Sequence, residues 1–164
     1  GVVGVLATPA TFQGALYASV VERFASNVTL LQNTCPGLVQ QIEQGALESR
    51  ETRVILKSAL IPMLERGIDT VVLGCTHYPF VIPLIQEIVG SDVRVIDPAP
   101  AVARQVARLL DSTNRRVACQ DSETLHFFTS GQADWFNTLL TKLCDETGEI
   151  MEVYWENNEI RIRK

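Results

Sequence analysis

The chain has 164 residues, 46% of them hydrophobic and 20% charged, which suits one ordinary soluble domain or one compact lobe plus an appendage. A net charge of -5 argues against a nucleic-acid binder, which would carry a basic face, and against a polybasic membrane-surface protein. No apolar run approaches the length of a membrane span, and no charged-then-apolar leader opens the sequence.

In chain order, "VVGVL" (2–6) is a β-branched apolar run that reads as a strand. "ATPATFQGALYASVVERF" follows at once and reads as a helix, with Thr8 placed to cap and Pro9 at the first helical position. Phe12, Leu16, Val20 and Phe24 recur there at helical spacing. "VTLL" (28–31) is a second short strand, "PGLVQQIEQGAL" (36–47) a short helix, and 52–66 a longer helix expected to kink at Pro62. "DTVVLG" (69–74) is a buried strand, a helix starts between Pro79 and Pro83, and "DVRVID" (92–97) is another strand. This alternation predicts an α/β fold with a parallel sheet covered by helices on both faces.

After Asp97 the texture changes. "DPAPAVARQVARLL" is one amphipathic helix, and residues 112–124 are polar and loop-like. "LHFFTSG" is a strand ending at Gly131. "QADWFNTLLTKLC" is a helix with Trp135, Leu139 and Leu143 on one side, a face that needs a core. The closing "IMEVYWENNEIRIRK" alternates apolar and polar residues around Asn157-Asn158, a good turn pair, and predicts a β-hairpin. The tail is thus a C-terminal α+β appendage.

Cys35, Cys75, Cys119 and Cys144 form no C-x-x-C pair, so they read as free thiols in a reducing cytoplasm. With His77 and His126 the only histidines, no structural metal site is expected.

Ligands on parallel sheets sit at the carboxyl ends of the strands, and two such ends are chemically furnished here. One is Thr8 to Thr11. The other is "GCTH" (74–77), which sets a thiol, a hydroxyl and an imidazole on consecutive residues where a strand stops. A cysteine just before a helix N-terminus meets amide dipoles that favour the thiolate. Thr76 and nearby backbone N–H groups could hold a carboxylate, and His77 could exchange protons with a substrate or tune the thiol. Gly74 would let a ligand approach the backbone.

Bland readings stand beside these. Cys75 could be a small buried residue beside a hydrogen-bonded His77, and the two alone make a poor metal site. Thr8 could merely cap, Glu43 could be a solvated mid-helix carboxylate, Cys35 could be buried at a strand end, and His126 could be a packing residue.

The unbroken "LGCTHYP" at Leu73–Pro79 resembles the signature around the second catalytic cysteine of glutamate racemases, in the aspartate/glutamate racemase group. "GVLATPAT", "CPGLVQQIEQG", "VIDPAPAVARQ" and "HFFTSG" support the resemblance up to about residue 144. The resemblance implies cofactor-free interconversion of L- and D-glutamate for peptidoglycan synthesis, by two thiols on opposite faces of Cα. It also implies that Cys75 is one of those thiols, assisted by His77. Thr76, His77, Thr8 and Thr11 would contact substrate, and Glu43 would lie near the pocket.

The family's other catalytic cysteine stands in a "C-N-T" motif on a first lobe, and no "CNT" occurs here. Residues 1–97 are therefore expected to be a second racemase lobe carrying Cys75, and 98–164 a tail that would complete the first. The chain would hold one of two bases, be inactive alone, and need either the missing lobe or a homo-oligomer partner. Two alternatives remain open: a non-catalytic glutamate-binding or regulatory module, and a different single-thiol enzyme of the same superfamily.

Overall fold

The computed structural model describes residues 1–117 and 125–163. Cys119 and most of the expected 112–124 loop lie outside the described residues. The chain forms two compact units, Gly1–Asn114 and Arg115–Lys164.

The first unit is built on four parallel strands: β1 (Val2–Ala7), β2 (Thr29–Asn33), β3 (Thr70–Gly74) and β4 (Arg94–Ile96), in the order β2-β1-β3-β4. Its helices are α1 (Pro9–Gln13), α2 (Ala15–Phe24), α3 (Leu38–Glu43), α4 (Arg50–Leu64), α5 (Ile82–Val89) and α6 (Ala99–Ser112). The expected parallel α/β sheet is present and is flanked by helices. The amphipathic α6, grouped with the tail on the sequence, falls within this compact unit.

The core lies where α4 packs on α3, α5 and β1. Leu6, Leu38, Ile42, Leu56, Leu60, Leu73 and Ile85 are fully buried. Gly4 permits the close approach of α4, since a Cβ there would sit 2.8 Å from the Met63 sulfur. Ser49 caps α4 by accepting the Thr52 amide at 3.1 Å. The fully buried Thr52 donates its hydroxyl to the Ala46 carbonyl at 2.6 Å, so no buried donor is left unpaired there. Pro62 is carried inside α4, two residues before its end. By contrast, α1, α2 and α6 bury no residue, although α2 and α6 each carry an apolar stripe.

The helix expected to run from Thr8 to Phe24 is in fact two. Gly14 takes an extended conformation (φ -73°, ψ 133°) and ends α1, and α2 then starts afresh. The Thr8 side chain makes no cap bond; it is spent on Thr11 instead.

In the second unit, β5 (His126–Thr129), β6 (Glu149–Glu156) and β7 (Glu159–Ile162) form a sheet of order β5-β6-β7, with α7 (Ala133–Cys144) between β5 and β6 in sequence. β5 and β6 run parallel, and β6 and β7 form the expected antiparallel hairpin. Asn157 and Asn158 both have positive φ (51° and 64°), which matches a two-residue turn that follows the strand twist.

Two readings here are corrected. The buried side of α7 centres on Leu140, and Phe136 packs its ring on Phe127, while Trp135 stays half-exposed. His126 is not a packing residue: its Nδ1 lies 3.0 Å from Glu149 Oε2 on the surface. Side chains alternate along a strand, so His126 faces away from the Phe127 side that α7 covers.

Candidate active site

β1 and β3 are neighbours with Ala7 opposite Gly74, so the residues that follow each strand emerge side by side. Gly74 is required by this approach. A Cβ on it would stand 2.9 Å from the Ala7 Cβ and 3.4 Å from the Leu6 carbonyl oxygen. Thr11 Oγ1 donates to the Gly74 carbonyl at 3.4 Å and lies 3.1 Å from Thr8 Oγ1. The two hydroxyls thus tie the start of α1 to the end of β3.

Cys75 follows directly and is half-buried. Its Sγ lies 3.9 Å from His77 Nδ1, and His77 Nε2 lies 3.2 Å from Glu43 Oε1. A thiol, an imidazole and a carboxylate therefore stand in line. The carboxylate arrives from the last residue of α3, 34 positions away in sequence. Gly37 enters α3 in the left-handed conformation (φ 86°), and burial of Leu38 and Ile42 turns Glu43 outward toward His77. The outward Glu43 and the half-exposed His77 keep one side of this line in contact with water.

The helix expected to start between Pro79 and Pro83 does so, at Ile82, but its N-terminus does not adjoin Cys75 as expected. Tyr78–Val81 form one turn of 3-10 helix and α5 begins only at Ile82, so the helix dipole is not aimed at the thiol. Pro79 and Pro83 lack the N–H groups that a continuous helix from Cys75 would need. The turn is instead closed by the Tyr78 amide donating to the Cys75 carbonyl at 3.2 Å. Thr76 is exposed at its apex.

A cavity of about 190 Å³ adjoins Thr8 and is lined by Thr34, Cys35, Gln40 and Tyr78 among others. Burial, and then the nearby Cys75 charge, push the Cys35 thiol up to about 12, so Cys35 is a packing thiol and not a base. Burial likewise pushes the Tyr78 phenol up, helped by the charges of Cys35 and Cys75. Sequence reasoning missed Tyr78 and Gln40 as lining residues. Tyr78 adjoins the motif and carried a signal, whereas Gln40 sits in a polar helix stretch and carried none.

Thr8, Thr11, Cys75, His77 and Glu43 are thus brought to one sheet end, with Thr76 beside them. Among the described residues no group of three or more His, Cys, Asp or Glu is arranged to hold a metal ion. No helix among them is long and apolar enough to cross a membrane.

Residues 1–106 match the Asp/Glu/hydantoin racemase family. A glutamate racemase of Roseiflexus sp. is 44% identical over 149 residues, which is 88% of this chain and 55% of that protein. The chain thus spans about half the length of the curated relatives it matches. Among solved structures, glutamate racemase isoform RacE1 of Bacillus anthracis superposes with a TM-score of 0.81 at 25% identity, over 93% of this chain and 57% of that one. The Francisella tularensis glutamate racemase, solved in complex with D-glutamate, gives 0.79 at 27% identity over the same shares.

Proposed function

Because the chain belongs to the Asp/Glu/hydantoin racemase family, we propose that it supplies one half of a cofactor-independent glutamate racemase site, with Cys75 as the base for one face of Cα. The observation that carries this reading is the line Cys75–His77–Glu43 at the β3 end. His77 Nδ1 accepts the Cys75 proton, and the Glu43 carboxylate favours the imidazolium that results. The thiolate then takes the Cα proton of glutamate. An S–H bond forms, the C–H bond breaks, and its electron pair passes into the adjoining carboxylate. A thiol on the opposite face returns a proton and inverts the centre.

Thr8, Thr11 and Thr76 offer hydroxyls to the substrate carboxylates. Their place at the carboxyl ends of parallel strands is where α/β sheets hold ligands. Cys35 is too deeply buried to be the opposing thiol. That thiol comes from polypeptide outside these residues, either a first racemase lobe or a partner copy. The free thiols and the resemblance fit a cytoplasmic enzyme that feeds D-glutamate to peptidoglycan synthesis.

The test is to mix the chain with the amino-terminal half of a related glutamate racemase and to follow optical rotation from either enantiomer. Racemisation is expected only in the mixture. Cys75→Ser should lower it by about 10² to 10⁴, the range for a lost acid–base group. Retained racemisation in the Cys75→Ser mixture would overturn the assignment. Glutamate binding without racemisation in any mixture would instead favour a non-catalytic binding module.

A further inference from the structure

We propose that the groove between β2 and α4 takes an extended peptide of a partner protein, which adds to the sheet as a strand and carries an apolar and an acidic side chain two residues apart. A cavity of about 330 Å³ lies there, lined by Leu30 and Gln32 of the strand edge, by Ala59, Pro62 and Met63 of α4, and by Arg66 just beyond that helix. β2 is the outer strand of its sheet, and among the described residues no strand pairs with its free side.

The register shows which backbone groups reach that side. Thr29 lies opposite Val2, and its amide donates to the Gly1 carbonyl at 3.2 Å, so Thr29 bonds inward. Both backbone groups of a strand residue point the same way, and successive residues point oppositely. Thr29, Leu31 and Asn33 therefore bond to β1, while Leu30 and Gln32 present their N–H and C=O groups to the cavity. The opposite edge of the sheet, β4, is only three residues long and opens with Arg94, two devices that discourage strand addition. β2 has five residues, none of them charged and none proline, so its edge is open to a further strand.

The side chains of the groove select the peptide. A Cβ on Gly4 would meet the Met63 sulfur, so that face of the sheet lies under α4, and Leu31, the register partner of Gly4, shares it. Gln32 points to the other face, where its Nε2 donates to the Tyr17 hydroxyl at 3.0 Å. Peptide residues opposite Leu31 and Thr29 therefore face α4. The first meets the apolar surface of Ala59, Pro62 and Met63. The second lies toward Arg66. The Asp69 amide donates to the Val2 carbonyl at 3.0 Å, so the chain has reached the Thr29 end of the sheet three residues after Arg66. Arg66 is exposed, and among the described residues its guanidinium has no carboxylate partner. Antiparallel pairing, the more stable kind, then gives the peptide the order apolar, any residue, acidic, read from its amino end.

The test uses the full chain and a capped, fluorescein-labelled peptide, Thr-Val-Thr-Leu-Thr-Glu-Thr, followed by fluorescence anisotropy and by hydrogen exchange at single amides. Saturable binding is expected, with new protection at the Leu30 and Gln32 amides and none at Leu31, whose amide is already bonded. Arg66→Glu, a change at an exposed side chain, should weaken this peptide about tenfold and strengthen the version with Lys in place of Glu. Methylating the backbone nitrogen of the residue after Leu should weaken binding to the unaltered chain, because that residue bonds to Leu30. No binding at millimolar peptide overturns the proposal. So does binding that leaves Leu30 and Gln32 exchanging freely, or that treats the Glu and Lys peptides alike. Protection of these amides without peptide also overturns it. If that protection rises with protein concentration, a second copy occupies the edge; if it persists on dilution, another segment of this chain does.

Discussion

A methyl group at residue 74 would stand 2.9 Å from the Ala7 Cβ, so Gly74→Ala must push the ends of β1 and β3 apart. The expected cost is about 1–3 kcal/mol, as for other overpacked sites, read as a lower urea midpoint. Adding Ala7→Gly removes the opposing methyl and should recover part of that loss, since residues in contact do not act additively. The thiols separate as sharply. Iodoacetamide at neutral pH should label half-buried Cys75 and exposed Cys144 in the folded chain and reach Cys35 only on unfolding, as peptide mass mapping would show. Equal labelling of Cys35 would contradict its assignment to the core. At this scale much was legible in sequence, because Gly74, Cys75, Thr76 and His77 are contiguous and end an apolar run. The contact of Glu43 with His77 could not be derived from spacing. It joins residues 34 positions apart and depends on how α3 is turned by Leu38 and Ile42.

The junction of α3 with α4 is where an element-level change should be felt most. Thr52 Oγ1 donates to the Ala46 carbonyl, lies 2.9 Å from Ser49 Oγ and 3.4 Å from Gln41 Oε1, and has no exposure to water. Thr52→Val keeps the shape and removes the hydroxyl, and should cost about 1–3 kcal/mol of stability by denaturant unfolding. Ser49→Ala, which removes the α4 cap, should cost about 1 kcal/mol. If neither moves the midpoint, the loop before α4 is not held by this network. The strands and the hairpin were readable because β-branched runs and Asn157-Asn158 carry local signals that the fold does not override. The break at Gly14 and the 3-10 turn after Cys75 were less so. The break follows from an extended Gly14 inside a stretch whose apolar spacing looked helical, and the 3-10 turn fills the gap between Cys75 and the helix that the sequence starts between Pro79 and Pro83. The face of α7 was misread by one residue, because Trp135 and Phe136 compete for the same core and the ring of Phe127 selects Phe136.

For the molecule as a whole, burial of Cys35 and Tyr78 links stability to alkaline pH. Both groups are held protonated in the fold, with pKa values above those of the unfolded chain. The stability this contributes is fully present below the ordinary thiol value of about 8.5. It is lost as pH rises from there toward about 12, where Cys35 titrates in the fold. Urea midpoints should therefore fall through that window, and Cys35→Ala should flatten the fall. Composition changes after Asp97, yet the compact units meet at Asn114 and Arg115, because α6 continues the first unit past the last strand of its sheet. The central claim, that Cys75 is a base for one face of Cα, is met most directly by following deuterium uptake at Cα of L- and D-glutamate in heavy water with this chain alone. The account predicts exchange of at most one enantiomer, abolished by Cys75→Ser and unaffected by Cys144→Ser. Exchange of both enantiomers by the isolated chain, or exchange that survives Cys75→Ser, would contradict it.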